Sequence, residues 1–119
     1  MKINFDNYLN FKEEEVRCPC CKVVGVTEEA MSALQALRTL LRRPVRVNSA
    51  YRCPKHNEIV GGAPGSKHKE GTAFDISLNG LDRWELLRHS RKVGFKGFGF
   101  YKTFLHVDLG PSRTWGDWE

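Results

Sequence analysis

Two short, widely separated segments share a pattern that limits what this chain can become. In Thr72-Ala73-Phe74-Asp75-Ile76-Ser77, the bulky Phe74 and Ile76 alternate with Ala73, Asp75 and Ser77. In Phe104-Leu105-His106-Val107-Asp108-Leu109, the apolar Leu105, Val107 and Leu109 alternate with Phe104, His106 and Asp108. Side chains of a strand point to opposite faces with period two, so each segment buries one face and presents ionisable residues on the other. His68 precedes Asp75 by seven residues, too far for neighbours on successive helical turns. A loop carrying His68, eased by Gly71, would feed the strand carrying Asp75. Two imidazoles and a carboxylate then supply three N/O ligands with a fourth position left for water, the usual make-up of a catalytic zinc site. The alternative on spacing alone puts His68 on a solvated loop and Asp75 at a turn cap, since no dense signature such as HExxH is present.

Helices come from the rest of the chain. Thr27 stands as an N-cap before Glu28 and Glu29, where the helix dipole favours negative charge. Met31, Leu34, Leu37 and Leu41 recur at three- and four-residue steps until Pro44, and Arg38, Arg42 and Arg43 form a solvated side. Val45 to Ser49 reads as a strand delivering Tyr51 and Arg52. Pro54 opens a short helix that runs to Val60 and ends at Gly61-Gly62, with His56 as a surface or capping residue. Asp82 and Glu85 make a capping-box-like pair, Leu81 and Leu86 a staple, and Trp84, Leu87 and Val93 a core face ending at Gly94, with His89 structural. The glycine-rich stretch from Phe95 leads through Tyr101-Lys102-Thr103 into the His106 strand as a hairpin. Phe5, Tyr8, Leu9 and Phe11 are expected to pack as an N-terminal flap, and Trp115 and Trp118 to fold back over apolar surface. The fold class expected is α+β, helices packed against a small antiparallel sheet in one compact domain over residues 1–119.

At 119 residues the chain fits one domain, and its formal charge of +5 suits an anionic surface. Aromatics are not interleaved with a dense basic block, so nucleic acid is not the expected partner. No apolar run reaches membrane-spanning length, no leader-like stretch opens the chain, and no GK[ST] phosphate loop follows the Gly61–Ser66 turn.

Three stretches together bear a family likeness: Ser49-Ala50-Tyr51-Arg52-Cys53-Pro54, then Ser66-x-His68-x-x-Gly71-x-Ala73-x-Asp75, then His106-x-Asp108. This resembles peptidase family M15, which holds zinc D-Ala-D-Ala carboxypeptidases, phage endolysins and related murein peptidases and shares a hedgehog-like fold. The likeness runs from about Phe11 to the tail. It implies one catalytic zinc held by His68, Asp75 and His106, Arg52 binding a substrate carboxylate or carbonyl oxygen, and a peptidoglycan peptide as substrate. Ser49, Tyr51, Ser66 and Tyr101 are the expected substrate-contacting or supporting residues. The implied setting is a monomer made in the cytoplasm without a signal peptide, acting at the bacterial cell wall, with a phage or prophage as a source of the export route. A weakly active or metal-holding cell-wall binding module is the alternative.

The general base does not transfer from that pattern. Where several relatives carry an acid, three positions before the late histidine, this chain has Thr103; where others carry a histidine, it has Phe104. Asp108 shares a strand face with His106, as residues two apart do, and is expected either to orient the imidazole or to take the proton. Glu70 is the weaker candidate for the base. Cys18-x-x-Cys21 and Cys53-x-x-His56 formally make a two-knuckle metal pattern, but reduced, partly buried thiols are the default expectation, with a second zinc at Cys18, Cys21 and Cys53 or a disulfide from Cys53 as the lesser readings.

Overall fold

Apolar side chains at positions 31, 34, 37 and 41 lie along one stripe of a helix, and burying that stripe organises the packing. The computed structural model describes residues 3–118. A 3-10 turn at Phe5–Asn7 and a short helix α1 (Glu13–Val16) precede α2 (Glu28–Leu41). The Thr27 hydroxyl caps α2 by accepting the Ala30 amide at 3.1 Å. Ala30, Met31, Ala33, Leu34, Leu37 and Leu41 are buried on its inner side, and Arg42 ends it in the left-handed region. There follow β1 (Val47–Ser49), α3 (Pro54–Ile59), β2 (Ala73–Ser77), α4 (Arg83–Lys92), β3 (Gly97–Phe100), β4 (Phe104–Asp108) and β5 (Arg113–Gly116).

The strands form one sheet in the order β1-β2-β4-β3-β5. β3 and β4 make the expected hairpin, with Gly97 opposite Asp108 and Phe100 opposite Leu105. β2 lies antiparallel to β4, so Asp75 sits directly across from His106. Period two splits the residues cleanly. Phe74, Ile76, Phe98, Leu105 and Val107 join the inward side chains of α2 and α4 in one core, while Asp75, His106 and Asp108 project from the other face. This is the α+β arrangement expected, with one addition: β5 pairs with β3 in parallel. No helix among the described residues is long and apolar enough to cross a membrane.

Two packing expectations are corrected. Trp84 is 60% exposed rather than in the core. Asp82 caps α4 as expected, accepting the Trp84 and Glu85 amides at 2.9 and 3.1 Å. Leu86, Leu87 and Ser90 then face inward, and Trp84, two positions before Leu86, is turned from it by about 200°. Its ring meets Trp118 edge-to-face at 5.1 Å. Trp118 in turn packs on Phe100 and donates its indole N–H to the Tyr101 carbonyl at 2.9 Å, so the tail does fold back. At the N-terminus Tyr8 and Phe11 are buried, but Leu9, which lies between them, is 89% exposed.

Gly71 joins the His68 loop to β2 with φ of 75°, and a Cβ there would run into the Gly25 carbonyl. A side chain is disfavoured twice over, by the backbone region and by contact with main chain that cannot step aside. Gly71→Ala is expected to destabilise the fold by roughly 2–4 kcal/mol, read as a fall in the denaturant midpoint. An unchanged midpoint would show that the loop accommodates the methyl group.

Candidate metal centre

Three elements bring the site together. β2 and β4 place Asp75 and His106 side by side. The irregular register of β1 on β2, between Val47 and Ser49, turns the chain toward the same spot. The turn-rich loop from Ser66 is tied on by the Arg52 amide, which donates to the His68 carbonyl at 3.1 Å. Ser66 steadies that loop, its hydroxyl accepting the His68 amide at 3.2 Å.

His68, Asp75 and His106 are all buried, and one ligand atom from each lies within 4.8 Å of the other two. His68 Nδ1 is 2.7 Å from the Ala50 carbonyl, which can only accept, so that nitrogen carries the proton. Its Nε2 then turns a lone pair toward Asp75 Oδ1 at 3.1 Å. His106 repeats the arrangement with its nitrogens exchanged. Nε2 donates to Asp108 Oδ2 at 2.7 Å, leaving the Nδ1 lone pair 3.0 Å from the same Asp75 Oδ1. Three electron-pair donors thus converge on one point.

Positive charge must fill that point, either as a second proton on each ring or as one divalent cation. The ring centroids are 5.0 Å apart, and two imidazolium charges at that separation repel by about 3 kcal/mol at an effective dielectric near 20. A single cation avoids that repulsion. Ligand separations of 3.0 and 3.1 Å also lie close to the edge of about 3.3 Å expected for a tetrahedron with metal–ligand bonds near 2.0–2.1 Å. The residues present fit a divalent metal of the zinc type.

The surroundings hold the ligands in place. Asp108 is 0% exposed. The Arg113 guanidinium grips it in two-point fashion at 2.9 and 2.8 Å, and the Gly110 amide donates to it at 2.9 Å. Gly97, across the hairpin, leaves the room that this fork occupies. Burial would raise the Asp108 pKa, but His106, Arg113 and the Gly110 amide outweigh it and hold the group well below the usual carboxylate range. Both Asp108 oxygens are engaged, which suits an orienting carboxylate behind a ligand histidine. Burial would likewise raise Asp75, yet the hydrogen bonds from His106 and His68 bring it to about 2. For His106 burial opposes the charge, and Asp108 with Asp75 overcomes it, so its pKa is raised.

A sign follows for pH. In metal-free protein the raised His106 pKa contributes stability below its unfolded value near 6.5, lost as pH rises through the folded value. The depressed Asp75 pKa contributes stability above about 3.9, lost as pH falls toward about 2. Metal needs the unprotonated ring, so metal affinity should weaken as acid protonates His106. Thermal unfolding of metal-free protein should therefore be most stable in mild acid, and metal should stabilise most at neutral pH and above. A stabilisation by metal that did not vary with pH would contradict this account of the site.

The remaining expected residues fall into two groups. Arg52 lines the cleft beside the ligands. Its Nε–H donates to the Ser49 hydroxyl at 3.1 Å, and its two amino groups donate to Asn57 Oδ1 and Asp75 Oδ2, each at 3.3 Å. Tyr101 borders the cleft, stacked on Phe104, and its hydroxyl accepts the Trp115 indole N–H at 2.9 Å. Tyr51 points away, its ring packed against Gly25, and Glu70 is paired with Lys67 at 2.9 Å, outside the cleft lining. Sequence reasoning missed Asn57, Arg113 and Trp115. Asn57 is buried and also donates to the Ala63 carbonyl at 2.9 Å. Nothing in the Pro111-Ser112-Arg113 run marks Arg113 as a partner of a buried acid. The cleft measures about 470 Å³, and Arg52, Lys67 and Arg113 line it, each paired with a carboxylate.

Comparison with known proteins points the same way. A family model described as Peptidase M15 matches residues 7–108. The peptidoglycan L,D-endopeptidase MepK of Escherichia coli K12 is 30% identical over 103 residues, covering 79% of this chain and 57% of that protein. The zinc D-Ala-D-Ala carboxypeptidase of Streptomyces albus G is 32% identical over 91 residues, covering 71% of this chain and 36% of its own length. The chain thus spans little more than half the length of the first of these relatives and about a third of the second. With a match reaching from the N-terminal turn through β4 and a His-Asp-His centre on the open face of the sheet, this chain belongs to the peptidase M15 family.

Proposed function

We propose that this domain is a zinc-dependent peptidase acting at the bacterial cell wall, hydrolysing an amide bond in peptidoglycan stem peptides as a D-Ala-D-Ala carboxypeptidase or an endolysin-like endopeptidase. The observation that carries the reading is the convergence of His68 Nε2, Asp75 Oδ1 and His106 Nδ1 inside an open cleft. The printed names of the relatives support the substrate class.

His68, Asp75 and His106 would hold a zinc ion, which when bound would supply Lewis-acid polarisation and an acidified water. The chain's own groups do the rest. The Ala50 carbonyl fixes the tautomer of His68, and Asp108, kept charged by Arg113 and Gly110, fixes that of His106. Arg52 has five N–H donors. Its bonds to Ser49, Asn57 and Asp75 leave two for a substrate carbonyl oxygen or a terminal carboxylate. Lys67 and Arg113 also line the cleft, each already paired with a carboxylate, Glu70 and Asp108 respectively.

One observation favours a second reading. Among the described residues, Asp75 is the only carboxylate lining the cleft, and it is itself a ligand in this scheme. On that reading the domain retains murein without cutting it. Zinc-loaded protein incubated with purified murein decides between them. New amines that disappear on chelation and return with zinc support the peptidase. Murein retention with no amine release by metal-replete protein would leave the binding module. Mass analysis of the products assigns the bond, as loss of a terminal D-Ala or as opening of cross-links.

A further inference from the structure

A second set of ligand-type side chains lies on the far side of Arg52, and the peptidase scheme gives it no role. The chain doubles back at residues 18–23, where the Cys18 amide donates to the Val23 carbonyl at 2.9 Å and the Lys22 amide to the Cys18 carbonyl at 2.8 Å. Lys22 takes a left-handed φ of 65° to close this turn. The turn presents Cys18 and Cys21 together, and Cys53, the N-cap of α3, meets them from β1's end. The three sulfurs lie within 4.8 Å of one another.

Main-chain donors point at two of these sulfurs. The Cys53 amide points at Cys18 Sγ at 3.5 Å, and the His56 amide at Cys53 Sγ at 3.4 Å. Cys18 is 0% exposed. A neutral thiol is a weak acceptor that needs no such cradle, whereas a thiolate ligand gains from every N–H aimed at it. A disulfide would join only two of the three sulfurs. Tetrahedral zinc with Zn–S bonds near 2.3 Å takes all three, at separations of about 3.8 Å.

We propose that Cys18, Cys21 and Cys53 hold a second, structural zinc ion as three of its four ligands. The inference stands apart from the peptidase reading. Its consequence for the fold is local. The turn at 18–23 and the preceding α1 are tied to the sheet end by the Tyr51 amide, which donates to the Val16 carbonyl at 3.3 Å. A metal at Cys53 would clamp this segment to the residue next to Arg52 and to the start of α3, which carries Asn57.

Cobalt separates the two centres, because thiolate ligands give Co2+ an intense near-ultraviolet charge-transfer absorption and a His-Asp-His site does not. Wild-type protein, purified under reducing conditions, should bind two metal ions per chain. The His68→Ala/His106→Ala variant should keep one, with the thiolate–cobalt absorption intact, whatever happens to hydrolysis. Cys21→Ser should lose that absorption while retaining the ion of the cleft. Should the cysteine variant fail to fold, wild type and the double-histidine variant still decide the matter. Absence of thiolate–cobalt absorption in both, or thiol counting that finds Cys53 oxidised to Cys18 or Cys21 in freshly purified protein, would overturn the proposal.

Discussion

Replacing His106 with alanine is expected to lower amide release from murein by at least about a thousandfold, equal to roughly 4 kcal/mol of transition-state stabilisation. The same change should remove the metal ion of the cleft. His106 supplies one of three converging donors, and its loss leaves only His68 and Asp75 at the metal position. It also takes from the buried Asp108 its 2.7 Å partner, although Arg113 and Gly110 still hold that carboxylate. The fold should therefore survive with reduced stability. Asp108→Asn provides the graded comparison. An orienting carboxylate lost from behind a ligand histidine costs about 10–100-fold in metal affinity, so activity should return at saturating zinc. A lost general base would cost about 10²–10⁴-fold in rate at any zinc concentration. Wild-type rates and metal content in His106→Ala would end the hydrolase proposal.

Arg52→Ala should reduce kcat/KM by roughly 100- to 1000-fold, the range for removing a positioned donor from a developing oxyanion. Arg52→Lys should recover little, since an ammonium keeps the charge but cannot reproduce the planar fork. Where the loss falls tells which group Arg52 binds. An oxyanion contact, made only in the transition state, appears in kcat. A terminal-carboxylate anchor appears in KM and affects substrates with a free C-terminus most. Part of any loss is indirect, because Asp75 Oδ2 and Asn57 Oδ1 both lose a donor. Metal content measured alongside removes that ambiguity. An Arg52→Ala enzyme within about twofold of wild type in both constants would take Arg52 out of the reaction.

Much of this was legible before any coordinates. The alternation in residues 72–77 and 104–109 depends only on the pleat of a strand, and it placed Asp75 and His106 on a polar face and Phe74, Ile76, Leu105 and Val107 in the core. The caps at Thr27 and Asp82 are equally local, a side-chain oxygen meeting amides two or three residues on. Trp84 was misplaced because hydrophobicity alone did not say which side of a short helix would face inward. Its partner Trp118 lies more than thirty residues away. Arg113 and Asn57 were missed for the same kind of reason. Each acts through a contact with a residue whose position depends on the sheet.

The sequence by itself determined the two longer helices with their caps, the apolar and polar faces of β2 and β4 and the donor types at 68, 75 and 106, because these follow from side-chain chemistry and backbone periodicity over a few residues. Only the tertiary structure decided that Asp75 pairs across from His106, that the Arg113 fork closes over Asp108, and that three cysteines from two distant segments meet. Strand order, register and loop return are set by the burial of one common core, and that depends on the whole chain at once.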